Sequence, residues 1–191
     1  VAVFGLGAIG LMCVQLAKIS GSLFVVGIEP FEKRRKLGEM YGADLLLDPR
    51  QCDAGLETRK VTNMDGADIA IEASGSYQAL HHAIRATRYG GTVVTVSLYH
   101  GEAKGLNLSE EWHINRQIMV AGARVESEPY RDHPRWNSRR IEDTAIQLFA
   151  QKKLKAEGML DPIVKFDEAI EGYRMIDEEP EKMIKLGVKY E

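Results

Sequence analysis

Three glycines and one carboxylate stand at spacings that could do chemistry. Gly5, Gly7 and Gly10 form a Gly-x-Gly-x-x-Gly turn after an apolar run, and Ile9, Leu11, Met12, Leu16 and Ile19 continue it with helical spacing. A second apolar run, residues 23–28, ends on Glu29. That acid lies about twenty residues past the last glycine, where a strand–turn–helix–strand unit that binds a dinucleotide needs a carboxylate for a ribose diol.

Each residue type has its own physical reason. Gly5 permits the tight turn off the strand, Gly7 leaves no side chain in the way of a pyrophosphate, and Gly10 lets the helix pack close to the sheet. The phosphates would rest on free backbone N–H groups at the positive end of the helix dipole. Glu29 would accept hydrogen bonds from both hydroxyls of the adenosine ribose and repel a 2′-phosphate, which favours NAD over NADP. A glycine-rich turn that binds nothing is the bland alternative, and the strand, helix and acid around this one weigh against it.

The rest of the composition narrows the partners. The chain has 191 residues, 45% hydrophobic and 28% charged, the profile of an ordinary soluble globular protein. A formal net charge of −3 argues against nucleic acid as a partner. No run approaches transmembrane length, so no membrane is expected. Cys13 and Cys52 make neither a disulfide framework nor a metal site, and usage this sparse fits a reducing cytoplasm. None of the five histidines (81, 82, 100, 113 and 133) is spaced to chelate a metal with a cysteine.

Positioning these groups requires a sheet. Helices are predicted at 31–40, 53–62 and 77–87, the last stopped by Gly90-Gly91, and strands at 44–48, 68–72, 92–98 and 117–125. Strands separated by helices imply parallel pairing with right-handed crossovers, hence an α/β fold with a Rossmann-type doubly wound parallel sheet. From residue 126 the rhythm changes. Residues 126–138 are polar and aromatic, a helix carries Ile141, Ala145, Leu148 and Phe149, and 160–166, 167–176 and 183–190 read as strand, helix and strand, a short α/β appendage. The expected organisation is a nucleotide-binding domain over 1–125 and a C-terminal segment over 126–191.

The order GLGAIG, IEPFEKR, GADIAIEASG and RYGGTVVTVSL resembles the cofactor domain of the zinc-dependent medium-chain alcohol and polyol dehydrogenases, and IVKFDEAIEGYRMI with KMIKLGVKY resembles their C-terminal return into the catalytic domain. The resemblance covers nearly the whole chain. It implies hydride transfer between a small alcohol or carbonyl substrate and NAD(H), with zinc held in a catalytic domain that precedes this sequence. The chain itself would then be the cofactor half of an enzyme, able to bind NAD but not to oxidise alcohol, with no catalytic residue and no metal ligand of its own. By the same resemblance Ile9 would press on the nicotinamide ring, Pro30 and Ser74, beside Gly75, would flank the adenine, and Arg34 would cover it. Backbone groups of Ser97, Leu98, Gly122 and Ala123 would bond the carboxamide, and Lys185 would reach the pyrophosphate. Residues 106–108 would pair across the two-fold axis of a homodimer.

Three other readings stay open on the sequence. A zinc-free quinone reductase relative would share the fold but use NADPH. A methyltransferase also places a glycine loop and an acid on its first strands. A stand-alone NAD-binding module or redox sensor would need no catalytic domain at all.

Overall fold

The computed structural model describes residues 1–122 and 135–190. The first strand, β1 (Ala2–Phe4), is wholly buried, and its residues alternate between two cores. Ala2 and Phe4 point into one cluster with Val26, Ile28, Ala83 and Ile84; Val3 points into the other with Leu6, Leu11, Val14 and Val25. A strand covered on both faces must be apolar at every position, which is why this segment reads as an unbroken hydrophobic run.

In chain order the elements are α1 (Ala8–Ile19), β2 (Val26–Ile28), α2 (Glu32–Met40), β3 (Leu45–Leu47), α3 (Ala54–Lys60), β4 (Ala67–Glu72), α4 (Tyr77–Ala86), β5 (Thr87–Thr95), α5 (Glu111–Ile114) and β6 (Ile118–Ala121). Strands β1–β6 form one sheet in the order β3-β2-β1-β4-β5-β6, and every pair is parallel. This is the doubly wound fold expected from the alternation of elements. Strand order reverses between β1 and β4, the crevice where such folds bind ligands. One row of paired residues runs across the whole sheet near its C-terminal edge: Leu47, Ile28, Phe4, Glu72, Thr95 and Ala121.

The remaining elements are α6 (Ser138–Ala150), β7 (Leu160–Lys165), a 3₁₀ turn at Phe166–Glu168, α7 (Ala169–Glu178) and β8 (Lys185–Lys189). β7 and β8 pair in parallel as a separate two-stranded sheet with α7 as the crossover. This unit is stapled to α1 and α2. The Gln15 amide and the Lys155 backbone exchange hydrogen bonds in both directions, at 3.0 and 2.8 Å. Tyr41 Oη donates to the Glu157 carbonyl at 2.6 Å, Lys33 pairs with Asp161, and Met159 and Ile184 enter the second core.

Three expectations need correction. Gly90-Gly91 does not stop α4; the helix ends at Ala86 and both glycines lie inside β5. A Cβ at Gly91 would meet the Thr87 side chain at 2.7 Å and the Asp68 carbonyl at 3.0 Å, so Gly91 serves a crowded stretch of β5, whereas Gly90 has open space around it and a φ of +65°. Residues 106–108 form no strand within the chain, and Leu106 packs against the first core. The sixth strand ends at Ala121. The part of the 117–125 prediction beyond Gly122, with Ala123, lies outside the described residues.

Candidate nucleotide site

The C-terminal edge of the sheet gathers most of the residues singled out by sequence. The positions just past the row of paired residues are Gly5 after β1, Glu29 after β2, Ser74 and Gly75 beyond β4, Ser97 and Leu98 beyond β5, and Gly122 after β6. Neighbouring strands lie about 4.8 Å apart, so these groups form a continuous line. A cavity of about 650 Å³ occupies its β1–β2–β4 part, lined by Gly5, Gly7, Glu29, Pro30, Arg34 and Ser74, with further walls from Phe31, Pro49, Arg50, Gln78, Ala79 and His82.

The glycine loop has the geometry its residues demand. Gly5 has φ +86°, and a Cβ there would come within 2.8 Å of the Ser74 side chain. A Cβ at Gly10 would lie 1.8 Å from the Gly5 carbonyl oxygen, so only glycine lets α1 approach the turn. Gly7 is different: a Cβ there would meet nothing within 4 Å, yet the residue lines the cavity. It is the N-cap of α1, and no side chain caps it. The first-turn N–H groups of a helix have no intrahelical acceptors and are free to hold an anion. The loop therefore fits a pyrophosphate: room where the group would lie, and donors facing it.

Glu29 is 2% exposed and tied into the wall. One carboxylate oxygen accepts the Leu6 amide N–H at 2.8 Å, the other accepts the Phe31 N–H at 3.1 Å. Each carboxylate oxygen can accept a second bond, which a ribose diol would supply. Arg34 stands 4.0 Å from this carboxylate and over the Phe31 ring. Its Nε and Nη2 donate to the carbonyls of Met183 and Pro180, so its guanidinium is anchored to the C-terminal unit while its side chain lines the cavity.

A second buried acid, Glu72, was read from sequence only as the end of a strand. It is fully buried, accepts N–H bonds from Ser74 at 2.7 Å and Gly75 at 3.1 Å, and accepts the hydroxyls of Ser74 and Tyr99. Burial and the Glu72 carboxylate push the Tyr99 hydroxyl far above its ordinary range, so Tyr99 stays protonated and donates. This cluster shapes the Ser74–Gly75 turn that faces Gly5. The signal was present: DIAIE ends a strand on an acid, as the run before Glu29 does.

Arg50, Gln78 and His82 were also missed. Gln78 and His82 lie four apart on α4 and share the face turned to the cavity. Desolvation lowers the His82 pKa against the opposing pull of Asp53, so the ring is neutral at pH 7. Arg50 is gripped by Asp48, whose pKa is held down to about 2, chiefly by its hydrogen bond from the Arg50 side chain.

Ser97, Leu98 and Gly122 sit on the same edge outside this cavity's lining, Ile9 lies in the first turn of α1, and Lys185 lies in the separate two-stranded sheet. Ile9 is 59% exposed at the start of α1 and Leu98 is 76% exposed. Lys185 is exposed on β8. Burial pushes the Cys13 thiol up to about 11, which leaves it unreactive. Among the described residues, no group of three or more His, Cys, Asp or Glu side chains is placed to hold a metal ion, so these residues do not fit a zinc site. No helix among them is long and apolar enough to cross a membrane. A shallow depression of about 480 Å³ follows one face of α6 and carries no cluster comparable to the cavity.

Residues 8–138 match the zinc-binding dehydrogenase family. The chain belongs to that family. Among its relatives, D-guloside 3-dehydrogenase of Escherichia coli is 41% identical over 191 residues, covering 100% of this chain and 54% of the relative. L-threonine 3-dehydrogenase of Pyrococcus horikoshii is 34% identical over 140 residues, 64% of this chain and 40% of that one. The crystal structure of 2R,3R-butanediol dehydrogenase from Bacillus subtilis superposes with a TM-score of 0.78 at 25% identity, over 100% of this chain and 50% of its own. The chain thus spans about half the length of the relatives it matches. The family match does not favour the methyltransferase, quinone reductase or sensor readings.

Proposed function

We propose that this chain is the NAD-binding portion of an alcohol dehydrogenase-like oxidoreductase, in which a hydride passes between a small alcohol or carbonyl substrate and NAD. The observation that carries the reading is the pairing of two features in one cavity: Gly7, with empty space where a side chain would be, and the Glu29 carboxylate. When bound, the nicotinamide supplies the hydride-accepting carbon. The residues of this chain bind and orient. The loop N–H groups take the pyrophosphate, Glu29 takes the ribose diol, and Ile9, Ser97, Leu98 and Gly122 flank the nicotinamide end of the line.

In this reading the chain binds cofactor without oxidising alcohol, because the donors for a zinc ion are not among its described residues. Titration of the chain with NADH and NADPH, followed by nicotinamide fluorescence, tests the first half; NADH should bind more tightly. An assay for alcohol oxidation by the zinc-loaded chain tests the second. Turnover there, or an absence of NADH binding, contradicts the proposal.

A further inference from the structure

The mouth of the ribose site carries more positive charge than an acid-lined NAD pocket requires. Arg50 lines the same cavity as Glu29, and its guanidinium is fixed before any ligand arrives. Its Nε and Nη2 donate to the two Asp48 carboxylate oxygens at 3.0 and 2.8 Å, and Nη2 also donates to the carbonyl of Pro30, the residue after Glu29. Arg35 braces the arrangement, 3.3 Å from Asp48 and bonded to the Glu29 and Pro30 carbonyls. A guanidinium has five N–H donors, and these bonds leave the two on Arg50 Nη1 without an acceptor among the described residues. Arg34 adds a second cation at the same mouth, 4.0 Å from Glu29.

Glu29 faces these cations from inside the wall. Its two oxygens are already held by Leu6 and Phe31, with the Arg34 guanidinium 4.0 Å away. Counting the side chains named, three guanidiniums, Arg34, Arg35 and Arg50, stand against two carboxylates, Glu29 and Asp48, and Asp48 is shared by Arg35 and Arg50. The two free, preset N–H groups on Arg50 Nη1 can each donate a charge-assisted hydrogen bond to an oxygen of a phosphate dianion, while the forked edge of the guanidinium stays on Asp48.

We infer that Arg50 is a latent 2′-phosphate-binding residue and that Glu29 is the group that withholds it. The inference rests on the nucleotide site proposed above and deepens it: cofactor choice is set by competition between Glu29 and Arg50.

The test uses the 191-residue chain, with Glu29→Gln, Arg50→Ala and the double variant, titrated with NADH and NADPH and with 5′-ADP and 2′,5′-ADP as competitors. Glu29→Gln removes the charge but keeps an acceptor for the loop. It should tighten NADPH by about tenfold or more, the effect of a charge-assisted pair freed from repulsion, with a gain that shrinks as salt is raised. Adding Arg50→Ala should abolish most of that gain. Equal NADPH affinity in Glu29→Gln and the double variant overturns the inference, as does a Glu29→Gln chain that gains nothing. Should Glu29→Gln fail to fold, Arg50→Ala alone decides the matter: it must weaken 2′,5′-ADP more than 5′-ADP, and equal loss of both overturns it. A chain that binds no nucleotide at all refutes the proposed function, whereas NADH binding without an Arg50-dependent phosphate effect refutes only this inference.

Discussion

The Glu29 carboxylate, at the end of β2, accepts the amide N–H of Leu6, inside the glycine loop, at 2.8 Å. Glu29 and the glycine loop are therefore one hydrogen-bonded unit, although 23 residues separate the partners. Disturbing either should disturb both.

Glu29→Ala should accordingly weaken NADH binding by about 1–3 kcal/mol, the range for a buried charged hydrogen-bonding group, and reduce discrimination against NADPH. It should also loosen the loop, read as faster amide exchange at Leu6. Unchanged exchange together with unchanged affinity would mean that the ribose is held elsewhere.

Gly7 and Gly10 should separate binding from folding. Gly7→Val puts a side chain into open cavity space, so NADH affinity should drop by about tenfold or more while the stability change stays within about 0.5–1 kcal/mol. Gly10→Ala drives a methyl into the Gly5 carbonyl and should cost several kcal/mol, on the order of the strain from overpacking a core. Calorimetry and titration of the two variants check this; similar melting temperatures would contradict it.

Tyr99→Phe removes one donor from the fully buried Glu72 carboxylate. A hydrogen bond to a charged group contributes about 1.5–3 kcal/mol, and the denaturation midpoint should fall accordingly. The Ser74–Gly75 turn, which depends on the same carboxylate, should show weaker amide protection than in the parent chain.

Acid should unlock the Arg50 grip. The Asp48 pKa lies at about 2 in the folded chain, below its ordinary value of 3.8, so the proton binds more tightly to the unfolded state. The resulting stability is present above about pH 4 and is lost as pH falls toward 2. Asp48→Asn should flatten that part of the stability profile in urea titrations from pH 5 to 2; an unaltered slope would show that the pair contributes nothing.

Much of the site was legible in the sequence because a parallel sheet brings the ends of its strands together. Once β1, β2, β4, β5 and β6 are placed, Gly5, Glu29, Ser74, Ser97 and Gly122 must lie along one edge, and no long-range contact need be known. What could not be read depends on partners far away in the chain. The end of α4 is finished by Gln117, whose amide donates to the Ile84 and Thr87 carbonyls at 2.9 and 2.8 Å, so the nearby Gly90-Gly91 was the wrong punctuation. Arg50 follows Asp-Pro with no motif around it; only the fold lays it against Pro30. Arg34 looked like a group for the ligand, and its partners turn out to be carbonyls some 150 residues on, at Pro180 and Met183.

That last contact has a consequence for how this protein can be taken apart. The wall beside Glu29 is co-owned by two distant stretches of sequence, so the cavity is not a cassette. A chimera that transplants only the residues through β6 would strand the Arg34 guanidinium without the three hydrogen bonds that hold it away from the carboxylate. Set loose, it would be free to close the 4.0 Å gap to Glu29 and, in the proposed reading, compete with the ribose for that carboxylate. Swaps that respect this inheritance must carry β7, α7 and β8 along with the sheet.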